Sequence, residues 1–126
     1  MHWFSYGIAL LASAGIMVIG IMYLFNPKAI MPNFGLPLPD TGPVTLPWLR
    51  LKGMRDIVSG LVVLSLVAWG GARMLGIVLA IEALIPFTDM SLVLVGKGNP
   101  VRAFLIHGLT AVLMILAAIP LVVGAA

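Results

Sequence analysis

The chain has 126 residues, of which 62% are hydrophobic and only 9% charged, and its mean hydropathy is +1.19. That is too little polar surface to coat a soluble globule of this size, so the chain belongs in a bilayer. The absence of cysteine excludes a disulfide framework and thiolate chemistry. The net charge of +3 comes mostly from basic residues near predicted helix ends, a pattern of membrane orientation rather than of nucleic-acid binding.

Hydropathy predicts an all-α fold, a four-transmembrane-helix bundle forming one integral membrane domain over residues 1–126. The first span covers about residues 5–25 and stops at Asn26 and Pro27, because proline cannot continue the hydrogen-bond ladder. It lacks a basic leader and a small-residue cleavage site and so reads as a retained span, not a signal peptide. The connection at 26–46 holds Pro27, Pro32, Pro37, Pro39 and Pro43 with Gly35 and Gly42, a composition expected to exclude helix and leave a stiff, partly extended path. A connection of this length is either a lid or a linker. Ile30, Met31, Phe34, Leu36 and Leu38 predict that it rests on the bundle or in the interface.

The second span runs over about 47–69 and ends at Gly70 and Gly71, and the third runs over 72–95 until Gly96, Lys97 and Gly98 break it. The fourth, 100–123, has Asn99 as N-cap and Pro100 at the first helical position, the favoured order. All four are long enough for a hydrocarbon core of roughly 30 Å. Lys28, Arg50, Lys52, Lys97 and Arg102 flank the first and third connections, against Arg73 alone on the opposite side. The positive-inside rule therefore predicts a multi-pass protein of the cytoplasmic (inner) membrane, if bacterial, with both termini outside. Trp3 and Trp69 then mark one interface, and Tyr23 and Trp48 the other.

Glu82 interrupts an apolar run over 74–87, and Asp89 follows seven residues later on the same helical face. A carboxylate at that depth costs about 2.5 to 3.5 kcal/mol even on permissive insertion scales, so it needs a partner or a task. At 1.5 Å per residue, Arg55 and Asp56 lie roughly 12 Å into the second span, His107 roughly 10 Å into the fourth and Asp89 roughly 9 Å from the end of the third. Three spans thus bring polar groups to one level, near the proline-rich connection, with Glu82 about 10 Å deeper and Pro86 between the acids. The expected result is a polar cavity open toward that side. Small residues support the inward faces: Ala103 and Ala111 bracket His107, Ser59 follows Arg55, and Gly60 follows Asp56. An Ala72, Gly76, Ala80 stripe on the face away from Glu82 predicts packing on a neighbouring helix or protomer.

Structural roles compete with functional ones at each position. Arg55 and Asp89 make a plausible ion pair between spans, Asp56 complements the early part of its helix, and His107 alone is commonly a packing residue. A protonated Glu82 donates a hydrogen bond to backbone just as readily as it serves chemistry. What favours function is convergence, since a purely structural bundle seldom needs this many ionisable groups within mutual reach.

The pattern Lys52-Gly53-Met54-Arg55-Asp56 with Gly60, then Ile85-Pro86 with Asp89, then His107 with Thr110-Ala111, resembles a family of small four-helix integral membrane proteins, domain of unknown function 4267. More distantly it is similar to DoxX-like membrane proteins. The resemblance covers most of the chain after the first span and implies a four-helix bundle with Arg55, Asp56, Asp89 and His107 as signature positions. It implies no reaction, and Glu82 lies outside its pattern.

These residues point first to a cofactor-independent, membrane-embedded acid–base enzyme, a hydrolase, isomerase or cyclase, acting on a small lipophilic substrate such as an epoxide. Glu82 or Asp89 is the expected acid, Asp56 or His107 the base, and Arg55 the anchor and electrostatic stabiliser. No metal or other cofactor is expected: His107 and carboxylates alone offer no paired metal-ligand motif, and redox work would need a borrowed cofactor. The alternatives are a small proton-coupled transporter working as a homo-oligomer, with Glu82 titrating, and a non-catalytic membrane subunit. The expected partners are the lipid bilayer and a lipophilic small molecule, with no nucleic acid.

Overall fold

The computed structural model describes residues 2–38 and 42–124, all of whose regular structure is helical. Pro39, one of the prolines of the first connection, lies outside the described residues. Helix α1 (Trp3–Phe25) leads into a single turn α2 (Pro27–Ile30) and a 3-10 turn (Met31–Phe34), and α3 (Thr45–Trp69) returns. Helices α4 (Ala72–Glu82) and α5 (Leu84–Val95) form one rod with an interruption at Ala83. A second composite rod begins with α6 (Pro100–Arg102), passes through a π turn (Ala103–Gly108) and ends with α7 (Leu109–Val123).

Three helices, Trp3–Phe25, Ala72–Val95 and Pro100–Val123, are long and apolar enough to cross a membrane, which marks the chain as a membrane protein. Helix α3 has the length, with 25 residues, but Arg50, Lys52, Arg55 and Asp56 crowd its first half and it is not among the three. The outer surface agrees with lipid contact: Trp3, Leu11, Phe25, Trp69 and Val95 are all largely exposed. Trp48 is exposed as well. Tyr23, expected in an interfacial belt, is instead buried.

The helices pair unevenly. Helix α1 lies along α3, and α4 lies along α7, whereas α5 packs on the π turn and α7 rather than on α1 or α3. Glycine sets the α1–α3 approach. A Cβ on Gly53 would sit 2.6 Å from the Gly20 carbonyl oxygen, and one on Gly20 would sit 2.6 Å from that of Gly53, so the two backbones touch with no room for a side chain. Gly76, from the small-residue stripe on α4, is likewise pressed against Leu121 and Ala118 of α7, so that stripe serves a contact within the chain. The core, built on Ala9, Val63, Leu75, Leu79, Met114, Ala117 and Leu121, fills the end of the bundle near the chain termini. Toward the other end α5 stands apart from α1 and α3 and leaves a space.

The first connection caps that end. Its prolines were expected to exclude helix, yet Pro27 sits at the first position of a helical turn and Pro32 near the start of the 3-10 turn, where the missing N–H costs nothing. Ile30 and Met31 are buried with Tyr23 against Leu49, while Leu36 and Leu38 are exposed. Three consecutive residues then fasten to the third connection and the start of the rod that follows it. Arg102 Nη1 donates to Asn33 Oδ1 at 3.1 Å, His107 Nε2 to the Phe34 carbonyl at 2.7 Å, and Asn99 N–H to the Gly35 carbonyl at 2.8 Å. The receiving turn is a Schellman ending of α5: Gly98 N–H returns to Val93 O, Lys97 N–H to Leu94 O, and Lys97 takes the left-handed conformation. Asn99 caps the next helix by accepting from the N–H groups of Val101 and Arg102.

Candidate functional site

Beneath the first connection lies a cavity of about 480 Å³, within the roughly 300–1,000 Å³ span of small-molecule sites. Chain direction orders its wall. Helix α1 and the α4–α5 rod run toward the first connection, and α3 and the α6–α7 rod run away from it. Tyr23, Lys52, Asp89 and His107 therefore line the capped end, together with Asn33 and Phe34 of the cap. Ser59, Glu82 and Thr110 line the middle, and Leu11, Val63, Leu79 and Met114 the floor. From Lys52 to Val63 is eleven residues of helix, so the space is about 16 Å long.

The five residues singled out from sequence fare differently. Glu82, Asp89 and His107 come from separate stretches of two rods and meet in the cavity wall. Asp56 is buried beside it, not in it, and accepts a 2.6 Å charged hydrogen bond from Lys52 Nζ one turn earlier. Arg55 is exposed, lines no part of the cavity and makes no ion pair; among the described residues the one salt bridge is Lys52–Asp56. The expected Arg55–Asp89 pair is thus absent, for a reason of helical phase. Gly53, Asp56, Gly60 and Val63 form the buried stripe of α3, and Arg55, one residue before Asp56, is turned about 100° away from it.

Lys52 takes the place expected for Arg55. Its ammonium lies 4.3 Å from the centre of the Tyr23 ring and 5.4 Å from that of Phe34, and the aromatic faces stabilise a cation held partly out of water. Asp56 anchors it from below on the same helix face. The ionisable neighbours of Asp89 are His107, Lys52 and Asp56, while the polar neighbour of Glu82 is the Ser59 hydroxyl of α3. Asp89 has no hydrogen-bond partner among the described side chains, which leaves its oxygens for a ligand.

His107 is oriented by its contacts. A carbonyl oxygen only accepts, so the 2.7 Å contact to Phe34 fixes a proton on Nε2, and in the neutral ring Nδ1 is the free acceptor. The Phe34 ring, 4.4 Å away between centroids, holds the imidazole from the side. Local backbone explains the placement. Leu109 N–H reaches Phe104 O five residues back, a π turn that widens the helix around His107, and the Thr110 hydroxyl bonds Ile106 O at 2.6 Å. Across the cavity, Pro86 has no N–H for the carbonyl of Glu82 four residues earlier, and the α4–α5 rod breaks at the adjacent Ala83.

The family model for a domain of unknown function (DUF4267) matches residues 13–121. The chain belongs to that family. The DUF4267 match takes in every cavity residue named above except Leu11, along with the α1–α3 glycine contact and the cap. No curated protein and no solved structure matches the chain significantly.

From the sequence, Lys52 counted among the orientation charges and the family pattern, Tyr23 among the interfacial aromatics and Ser59 among the small contact residues, and Asn33 was not singled out. The signal for two of them was present: Lys52, Asp56 and Ser59 fall at i, i+4 and i+7, the repeat of one helix face, and that face continues the Gly53 and Gly60 contact stripe.

Proposed function

We propose that this member of DUF4267 is a membrane-embedded acid–base enzyme, cofactor-independent, which converts a small lipophilic molecule inside a four-helix transmembrane bundle. In this reading α3 is the fourth crossing, its charges facing the cavity and the headgroup region, with both termini outside. The observation that carries it is the meeting of Glu82, Asp89, His107 and Lys52 in the wall of one cavity with an apolar floor.

The roles follow from the contacts. A carboxylic acid at Glu82 or Asp89 delivers a proton to the oxygen of an epoxide as its C–O bond opens. Water attacks the carbon, and its proton passes to the free Nδ1 of His107, giving a diol. The same pair without water moves a proton from carbon to carbon or oxygen, which is isomerisation or cyclisation. Lys52 supplies the stabilising charge, and Asp56 positions it. The apolar core beyond the floor, with Ala9, Leu75 and Leu121 almost wholly buried, favours a chamber closed at its inner end over a continuous path for ions.

The test is direct. Protein in lipid nanodiscs is incubated with a panel of lipophilic epoxides and enones, and products are resolved by mass spectrometry. Conversion is expected, and loss of the acid or base removes about 10²–10⁴ of the rate in Glu82→Gln, Asp89→Asn and His107→Ala, with Arg55→Met near wild type. Proton-driven flux in sealed vesicles without chemical change would replace this reading with the homo-oligomeric transporter. Variants that lower thermal stability alone would leave the non-catalytic subunit.

A further inference from the structure

The cavity has two boundaries of different character. Toward water it is covered by the cap, where Asn33, itself exposed, accepts from Arg102 of α6, Phe34 from His107 of the π turn and Gly35 from Asn99 of the third connection. Sideways it is not shut. Leu11, Gly15 and Ile19 of α1, Ile85 of α5 and Ile106 of the π turn all line the cavity and are all exposed on the outer surface. These helices do not pack on one another along this stretch. A residue that faces both an interior space and the surroundings lies on a rim, and on this side the rim is apolar except for Thr110, whose hydroxyl is taken up by the Ile106 carbonyl.

We infer that the cavity is entered laterally from the hydrocarbon, through a slot between α1 and the α5–π segment, by a neutral, single-headed lipophile that lies with its polar group at the capped end. A molecule arriving from water would have to break the cap and strip its own hydration, whereas one dissolved in the bilayer crosses only this rim. Orientation follows from the wall. Lys52, Asp89 and His107 offer donors and acceptors at one end, whereas Val63, Leu79 and Met114 line the other, where the proton of the Ser13 hydroxyl is already given to Leu10 O. A head of full charge is disfavoured because it must cross the apolar rim. This inference rests on the cavity of the proposed enzyme but not on its chemistry, and occupancy is read without turnover, so each can fail alone.

Gly15 gives a clean handle, since a side chain built there meets nothing within 4 Å. Protein in nanodiscs is photolysed with a long-chain alcohol carrying a diazirine at its tail, and with a short water-soluble diazirine, and adducts are mapped by mass spectrometry. The alkyl probe is expected to label Val63 and Met114, both buried. Moving its diazirine beside the hydroxyl is expected to shift labelling toward Tyr23 and Phe34. Gly15→Trp, and independently Ile106→Trp from the other rim, are expected to bring floor labelling to background. Gly7→Trp, at an open position outside the cavity, is expected to leave it intact. Floor labelling by the water-soluble probe, or labelling by the alkyl probe that survives both rim substitutions in folded protein, overturns lateral access. Reversed positions for the head and tail adducts overturn the orientation.

Discussion

Replacing Lys52 by methionine keeps the stem that packs between Tyr23 and Phe34 and removes only the charge. The Lys52 side chain is 31% exposed and that of Asp56 11%, with 2.6 Å between charged atoms. An exposed pair is worth about 0–1 kcal/mol, whereas stranding a charge in a fully buried pair costs about 3–5 kcal/mol. With one partner nearly closed off and the other a third open, Lys52→Met is expected to cost about 1–3 kcal/mol, including the lost attraction to the two rings. Arg55→Met, at an exposed position without an ion pair, is expected within about 0.5 kcal/mol of wild type. The assay is unfolding in mixed detergent micelles, run as a double-mutant cycle with Asp56→Asn. Once Asp56 is neutral, Lys52→Met has little left to strand, so the two losses add to less than their separate sum. Losses that add fully, or an Arg55→Met penalty larger than that of Lys52→Met, would refute the assignment of Lys52 as the inward cation.

The glycine contact yields a pair of opposite expectations in the same assay. Gly53→Ala drives a methyl to 2.6 Å from a backbone oxygen that cannot move alone, an overpacking cost of about 1–3 kcal/mol that exceeds the helix-propensity gain of about 1 kcal/mol, while Gly7→Ala meets nothing and keeps the gain. A neutral Gly53→Ala contradicts the observed α1–α3 approach. At the cap, Gly35 has φ +107°, and a Cβ there would lie 3.1 Å from Arg102 Cβ, so Gly35→Ala adds strain of about 1–3 kcal/mol and loosens the latch. Hydrogen exchange at Asn99, whose N–H donates to Gly35, is expected to accelerate; unchanged protection there would show that the cap is held by other contacts.

How much could be read from the residues varies with the range of the interaction. Helix ends marked by Asn26-Pro27, Gly70-Gly71 and Asn99-Pro100 are local chemistry and stand where the structure has them. The grouping of Glu82, Asp89 and His107 was legible because depth along a span is a count of residues. Rotation about the axis was less so. Depth alone put Arg55 level with the others, and only the phase relative to Gly53 and Gly60 shows that it points away while Lys52 points in. Tyr23 looked like an interfacial aromatic because burial depends on what lies above it, and the turn that buries it, residues 27–34, hides inside a segment whose prolines argue against helix. Pro27 and Pro32 occupy first-turn positions, where the missing N–H has no ladder bond to lose. Nothing in composition announced that the cap would bond to the turn after α5, a contact across 60 to 70 residues.

Two departures from regular helix flank the cavity, and together they explain how a narrow bundle presents polar groups at one level. A spacing of four overshoots a turn of 3.6 residues, so residues 103, 107 and 111 of an unbroken helix would drift steadily round its axis. The i→i+5 turn at Ala103–Gly108 undershoots by holding more than four residues, and the two offsets oppose each other. Ala103 and Ala111 consequently stay buried on the side where His107 meets the cap. On the facing rod Pro86 removes one bond from the ladder between the acids, next to the interruption at Ala83. Glu82, one residue before the break, lines the cavity beside the Ser59 hydroxyl of α3. A polar ligand group at mid-depth therefore meets the Glu82 carboxyl beside the Ser59 hydroxyl, above a floor that is hydrocarbon apart from the Ser13 hydroxyl, which donates to Leu10 O.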